Sequence, residues 1–430
     1  MTKYGPLTST LTVLCLASLT LTACSTKNSQ ENQIQASPSS SPAAITEAST
    51  LSPRLAITYE GGLMVIDGRS MEVLSTFDKE GFLRLNPAGD NRHMIVADGS
   101  SYSVLDLGSW EQAHGDHSHI YSSTPSLSQL HFAADHTGHV ISNLGKTALF
   151  SDGTASFETY RVADLTGADQ RTASSIETQK ISLPQAHHGF AIPLANNRYL
   201  VSVGDQEKRS GAAVIDDQAK IITENKDCPG IHGEAKAAHQ VYTLGCEDGA
   251  LIYRAGQFTK VTTSKDSYSR LGNQAGSEKS AIVLTDYKTD PNASLERPEQ
   301  FSLINTTTAS ISTVALPQGV SYTFRSLARG PAGEALVLTT DGKLRYYDEQ
   351  TGKELGSLTL MDPWQESETW QDPRPAIWVN ENTAYVSDPS SKKLLAVSLK
   401  DLKAGKAEIF AQLDLPHTPN EINGVSGKTS

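Results

Sequence analysis

From residue 54 onward, apolar residues fall in short runs that end on turn-forming residues. The run 63–66 closes on Asp67-Gly68, 94–97 on Asp98-Gly99, 199–203 on Gly204, 336–340 on Asp341-Gly342, and 384–387 on Asp388. Nowhere in this region do apolar positions hold a 3.6-residue period over helical length. Short β-type runs separated by Asp-Gly and Gly-rich turns predict an all-β domain.

The runs group into units. First strands are expected at Leu83, His139, His188, His232, Leu271, Phe324 and Ile377, a spacing of roughly fifty residues with four short strands per unit, which is the pattern of a β-propeller. The segment 419–425 reads as one more first strand, with 55–58 and 63–66 as its partners, so both ends of the chain close the last blade. The count is a single propeller of eight four-stranded blades; seven is the alternative, because 302–316 is hard to phase. No Trp-Asp dipeptide occurs, which excludes the WD40 type.

The N-terminus departs from this pattern. Lys3 precedes an apolar stretch over 7–21, followed by Leu21-Thr22-Ala23-Cys24. A charged start, an apolar middle too short to span comfortably and a small-residue cleavage site predict a secretory signal over 1–23. Leu-Thr-Ala-Cys resembles the bacterial lipobox, which makes Cys24 the expected lipidated residue. Residues 24–52 are Ser, Pro, Gln, Asn, Thr and Ala with few large apolar side chains. Such a stretch buries too little surface to offset ordering and is expected to be a flexible tether, with the propeller over 53–430. The domain is thus placed at the outer face of the cell membrane on a lipid anchor.

Composition narrows the function. The 430 residues carry 36 basic and 48 acidic side chains, a net charge of −12. No basic stripe is present to displace phosphate counterions, so nucleic acid is excluded as a partner. With Cys15 in the signal and Cys24 carrying lipid, only Cys228 and Cys246 remain. A lone pair in an exported domain predicts a disulfide, the alternative being a thiolate metal pair.

Histidine carries the candidate chemistry. Three of the 12 histidines stand in His114-Gly115-Asp116-His117-Ser118-His119, and His131 and His136 follow closely. Imidazole with carboxylate suits zinc or another late first-row divalent ion, and alternation places His117 and His119 on one side of an extended strand. His139, His188 and His232 occupy corresponding positions of three successive units, each beside a glycine. First strands line the channel of a propeller, so these three are expected to converge at its mouth. The stretch 111–136 is expected to cross between blades over that mouth, with His114, Asp116, His117 or His119 supplying a further ligand. Glu234 and Asp135 are the expected carboxylates that orient the imidazoles.

Four motifs in this order carry a family resemblance: Asp116-His117-Ser118-His119, Gly138-His139 through Asp152-Gly153, Ala186-His187-His188-Gly189, and Cys228 through His232-Gly233-Glu234-Ala235. The combination resembles the AztD-type zinc metallochaperones. The resemblance implies an exported propeller, and the chain is expected to be a monomer. It would bind Zn and pass it to the substrate-binding protein of a zinc ABC importer. The lipobox and tether depart from the family pattern and imply a membrane-anchored version. Two other classes compete. A propeller hydrolase or lactonase with a channel metal would use carboxylate and amide oxygens for calcium rather than three imidazoles, and no Gly-x-Ser-x-Gly stretch offers a serine nucleophile. The third class is a metal-free, lipidated interaction scaffold. The balance favours a carrier, not an enzyme.

Overall fold

The computed structural model describes residues 44–167, 174–263 and 268–428. The expected signal, Cys24 and tether residues 24–43 lie outside the described residues. No helix among the described residues is long and apolar enough to cross a membrane.

The described chain is a β-propeller. It contains eight four-stranded antiparallel sheets and one three-stranded sheet. One four-stranded sheet joins both ends of the domain: Ile422–Val425 pairs with Arg54–Tyr59, which continues into Gly62–Asp67 and Glu72–Asp78. The others follow in chain order. Residues 302–316, hard to phase in the sequence, belong to strands Gln300–Asn305 and Ser310–Ala315, the outer pair of their sheet. A long connection, 287–299, separates them from Ile282–Asp286 and disguises the repeat.

The burial pattern explains the short apolar runs. Middle strands such as Arg54–Tyr59 and Ala335–Leu338 are buried at every position, because a neighbouring sheet packs on each face. Outermost strands such as Glu72–Asp78 and Glu354–Thr359 alternate between exposed and partly buried positions. The apolar clusters accordingly lie between sheets. Ala56, Leu63 and Val65 pack on Leu85, Met94 and Val96 of the next sheet. Leu336 and Leu344 pack on Ala384 and Val397.

Strand direction assigns the two faces. In each sheet the chain enters the innermost strand from one face, here the entry face. Turns between second and third strands return to that face. Connections from first to second and from third to fourth strands lie on the opposite face. Residues 134–136 and the short helix Asp152–Thr154 are on the entry face. The hairpin Ser109–His114/His117–Ser122 joins the third strand, Ser101–Asp106, to the fourth, Ser126–Ala133, and therefore lies on the opposite face. Thr46–Glu47, within the stretch expected to be tether, adds a third strand to that hairpin.

Candidate metal centre

Three imidazoles meet on the entry face. His139 lies within the inner strand Thr137–Asn143, where the pairing register shifts. His188 and His232 stand just before the inner strands Ala191–Leu194 and Glu234–Ala237 of the next two sheets. One ligand atom from each falls within 4.8 Å of the others, and the Nε2 atoms of His188 and His232 are 3.2 Å apart.

The opposite nitrogen of every ring is held. His139 Nδ1 is 3.0 Å from Glu234 Oε1, His188 Nδ1 is 2.6 Å from Asp152 Oδ2, and His232 Nδ1 donates to the carbonyl of Gly272 at 2.7 Å. A carbonyl only accepts, so His232 carries its proton on Nδ1 and, when neutral, presents a lone pair at Nε2. Burial and then the neighbouring His139 push the pKa of His232 well below the usual imidazole value, which keeps it neutral. Burial also opposes charge on His139, but the Glu234 carboxylate outweighs it and the pKa is raised.

The 3.2 Å separation of the His188 and His232 Nε2 atoms suits a proton shared between them or a cation bound by both. Tetrahedral zinc with Zn–N of about 2.0–2.1 Å sets its imidazole nitrogens roughly 3.3 Å apart. The donor set therefore fits zinc. Three protein ligands leave one position of a tetrahedron open.

Local chain constraints hold the rings in place. Gly233 has φ of +78°, and a Cβ there would strike the Gly272 carbonyl that accepts from His232. A Cβ at Gly138 would strike Asp152 Oδ1, the partner carboxylate of His188. Cys228 and Cys246 form a disulfide that ties the lead-in to His232 to the end of strand Val241–Cys246. The backbone N–H of His232 donates to Gly245 in the same strand.

The three rings border a cavity of about 780 Å³. Its roof is not the histidine-rich stretch but part of the 287–299 connection, including Asp290 and Glu296, with Trp370 at the rim. Trp370 packs edge-on to Phe82 at 4.9 Å.

The structure corrects two expectations about the histidine-rich segment. Residues 111–136 do not cross between blades: Ser126–Ala133 is itself an outermost strand, paired with Ser101–Asp106. The hairpin before it consequently faces away from the channel triad, and His114, Asp116, His117 and His119 give that triad no further ligand. They form a separate cluster in which His114, His117 and His119 present ligand atoms within 4.8 Å of one another. Asp116 accepts from His117 Nδ1 at 3.1 Å, and Glu47 accepts from His119 Nδ1 at 2.8 Å. Asp135 pairs with exposed His136 at 2.8 Å rather than with the triad. The carboxylate that orients His188 is Asp152, which sequence reading missed. Its signal was its place at the end of the second motif, Gly138-His139 through Asp152-Gly153.

Three further histidines have structural settings. His187 is buried between Gln185 O and Ser202 Oγ, and His93 is buried against Asp90. His417 stacks on Tyr59 at 3.9 Å.

No protein-family model matches the chain. It is 28% identical over 379 residues to the zinc chaperone AztD of Citrobacter koseri, covering 84% of this chain and 83% of the relative. The crystal structure of Citrobacter koseri AztD superposes with a TM-score of 0.74 at 26% identity, covering 89% of this chain and all of that one. The apo structure of AztD from the same organism gives 0.72 at 24% identity over 88% of this chain and 100% of that chain. Both agree with the family resemblance read from the four motifs.

Proposed function

We propose that this chain, which resembles the zinc chaperone AztD across its propeller, is an extracytoplasmic zinc carrier. It holds zinc at His139, His188 and His232 and delivers it to the substrate-binding protein of a zinc ABC importer. One observation carries the reading. Every Nδ1 of the triad has a partner, so all three Nε2 atoms are turned to one point with the proton placed for metal binding. Glu234 and Asp152 lie behind two of the rings and offset the charge of the ion.

The carrier is anchored to the outer face of the cell membrane through Cys24 and a tether that enters the propeller at Thr46–Glu47, on the hairpin face. Support for this comes from the Leu-Thr-Ala-Cys sequence and from the pairing of Thr46 with Ser122. The triad on the entry face then points away from the anchored end. The hairpin histidines form an accessory, weaker site, since their rings are more exposed and sit on a hairpin rather than between sheets.

The test has two stages. Chelator-competition titration of the mature chain should give one tight zinc ion that is lost in His188→Ala and His232→Ala. The loaded protein mixed with the binding protein of the cognate zinc importer should then transfer zinc faster than zinc dissociates into a chelator. Transfer no faster than spontaneous release would refute the delivery role and leave zinc binding standing.

A further inference from the structure

We propose that Arg209 and Arg270 form a carboxylate seat beside the triad, so that a small carboxylate anion from solution occupies the coordination position the three imidazoles leave open. This rests on the reading of His139, His188 and His232 as a metal site.

Cavity geometry carries the argument. A second cavity of about 360 Å³ adjoins the large one and is lined by His188, Asp205, Glu207, Arg209, His232 and Arg270, with Gln206 in the same turn. Only His188, His232 and Arg270 line both spaces. The two closest imidazole nitrogens and one guanidinium therefore stand where the cavities meet. Volumes of this size suit a small molecule rather than the tip of a folded partner.

The two guanidiniums at that junction are only loosely paired, with Glu247 and Asp152 as their nearest counter-charges and Asp205 and Glu207 on the cavity wall. Arg209 makes no ion pair among the described residues, and Arg270 approaches the Glu247 carboxylate only at 4.0 Å. Asp205 is engaged by its own turn, accepting from the N–H groups of Glu207 and Lys208 at 2.9 and 2.7 Å. Burial and the proximity of Arg270 both disfavour the charge on Arg209. A divalent ion at the triad adds positive charge that Asp152 and Glu234 offset. The two guanidiniums remain, and an anion that both bridges them and ligates the metal relieves the repulsion. A carboxylate does so with its two oxygens: one on the metal, one accepting from the guanidinium fork. Zinc sites with three protein ligands characteristically take an outside donor at the fourth position.

The experiment uses cobalt(II) as a visible reporter bound by the mature chain in carboxylate-free buffer. A tetrahedral spectrum that disappears in His188→Ala establishes the triad; its absence would refute the metal reading itself. Acetate and succinate are then titrated into the cobalt-loaded protein, with phosphate as a second oxyanion. The seat predicts a saturable spectral shift with acetate and succinate, weakened about tenfold in Arg270→Gln and in Arg209→Gln. Each variant is referred to its own carboxylate-free spectrum. A cobalt spectrum indifferent to both carboxylates would overturn the seat while leaving the triad intact. A shift of wild-type affinity in both Arg variants, or one produced by phosphate alone, would overturn it equally.

Discussion

Removing Asp152 should weaken zinc binding although the residue touches no metal. Its Oδ2 lies 2.6 Å from His188 Nδ1, and its other oxygen accepts from the Gly189 N–H at 3.4 Å. His188 is the most exposed ring of the triad, with 46% of its side chain accessible against 23% for His139. It therefore depends most on a partner to stay turned toward its neighbours. Loss of such a carboxylate–histidine–metal link lowers metal affinity about 10–100-fold, or about 1.4–2.8 kcal/mol at 1.4 kcal/mol per decade. Asp152→Ala removes both orientation and charge and should fall near the upper figure. Asp152→Asn keeps an acceptor for Nδ1–H and should fall near the lower. Competition against a zinc chelator at constant pH measures both, with thermal unfolding of the metal-free domain to confirm an intact fold. Asp135→Ala is the control, because that carboxylate pairs with His136 and should leave affinity unchanged. An Asp152→Ala affinity within twofold of wild type would refute the orientation argument.

Other outcomes follow from the same geometry. Replacing His114, His117 and His119 together should remove a weaker zinc ion and leave the tight one in place, read as stoichiometry by native mass spectrometry. In an NMR titration of the metal-free domain, His139 should titrate above the ordinary value near 6.5 and His232 well below it. Glu234→Gln should lower the His139 midpoint, because a neutral amide does not hold the proton. Zinc must displace the Nε2 proton of the charged ring, so affinity should fall as pH drops through the His139 midpoint; a pH-independent affinity between 8 and 6 would contradict this. Removing the disulfide with Cys228→Ala and Cys246→Ala should cost about 2–4 kcal/mol of stability in denaturant unfolding and weaken zinc binding through His232. Thiol counting on the denatured, unreduced domain should find both cysteines oxidised.

The propeller was legible because each sheet repeats one local pattern, and the three channel histidines because they recur at equivalent places in it. Glu234 was readable for a similar reason: it opens the strand that follows His232. What failed was the phase of one sheet. An inserted hairpin between Ser101–Asp106 and Ser126–Ala133 looks locally like a crossing between sheets, and only long-range pairing tells the two apart. That slip moved the histidine-rich segment to the wrong face, and Asp135 rather than Asp152 was the expected orienting carboxylate. Both aspartates stand near Gly153 in the fold. Which of them meets His188 depends on packing between sheets, and a linear pattern does not encode that. The roof over the channel was missed because 287–299 has neither strand alternation nor helical period.

The most direct test of the central claim is the position of bound zinc. Crystals of the domain loaded with one equivalent of zinc, measured on both sides of the zinc absorption edge, give an anomalous difference map. The account predicts one strong peak on the entry face, about 2.0–2.1 Å from a ring nitrogen of each of His139, His188 and His232. A peak among His114, His117 and His119 with none at the channel, or no ordered zinc at all, would contradict it.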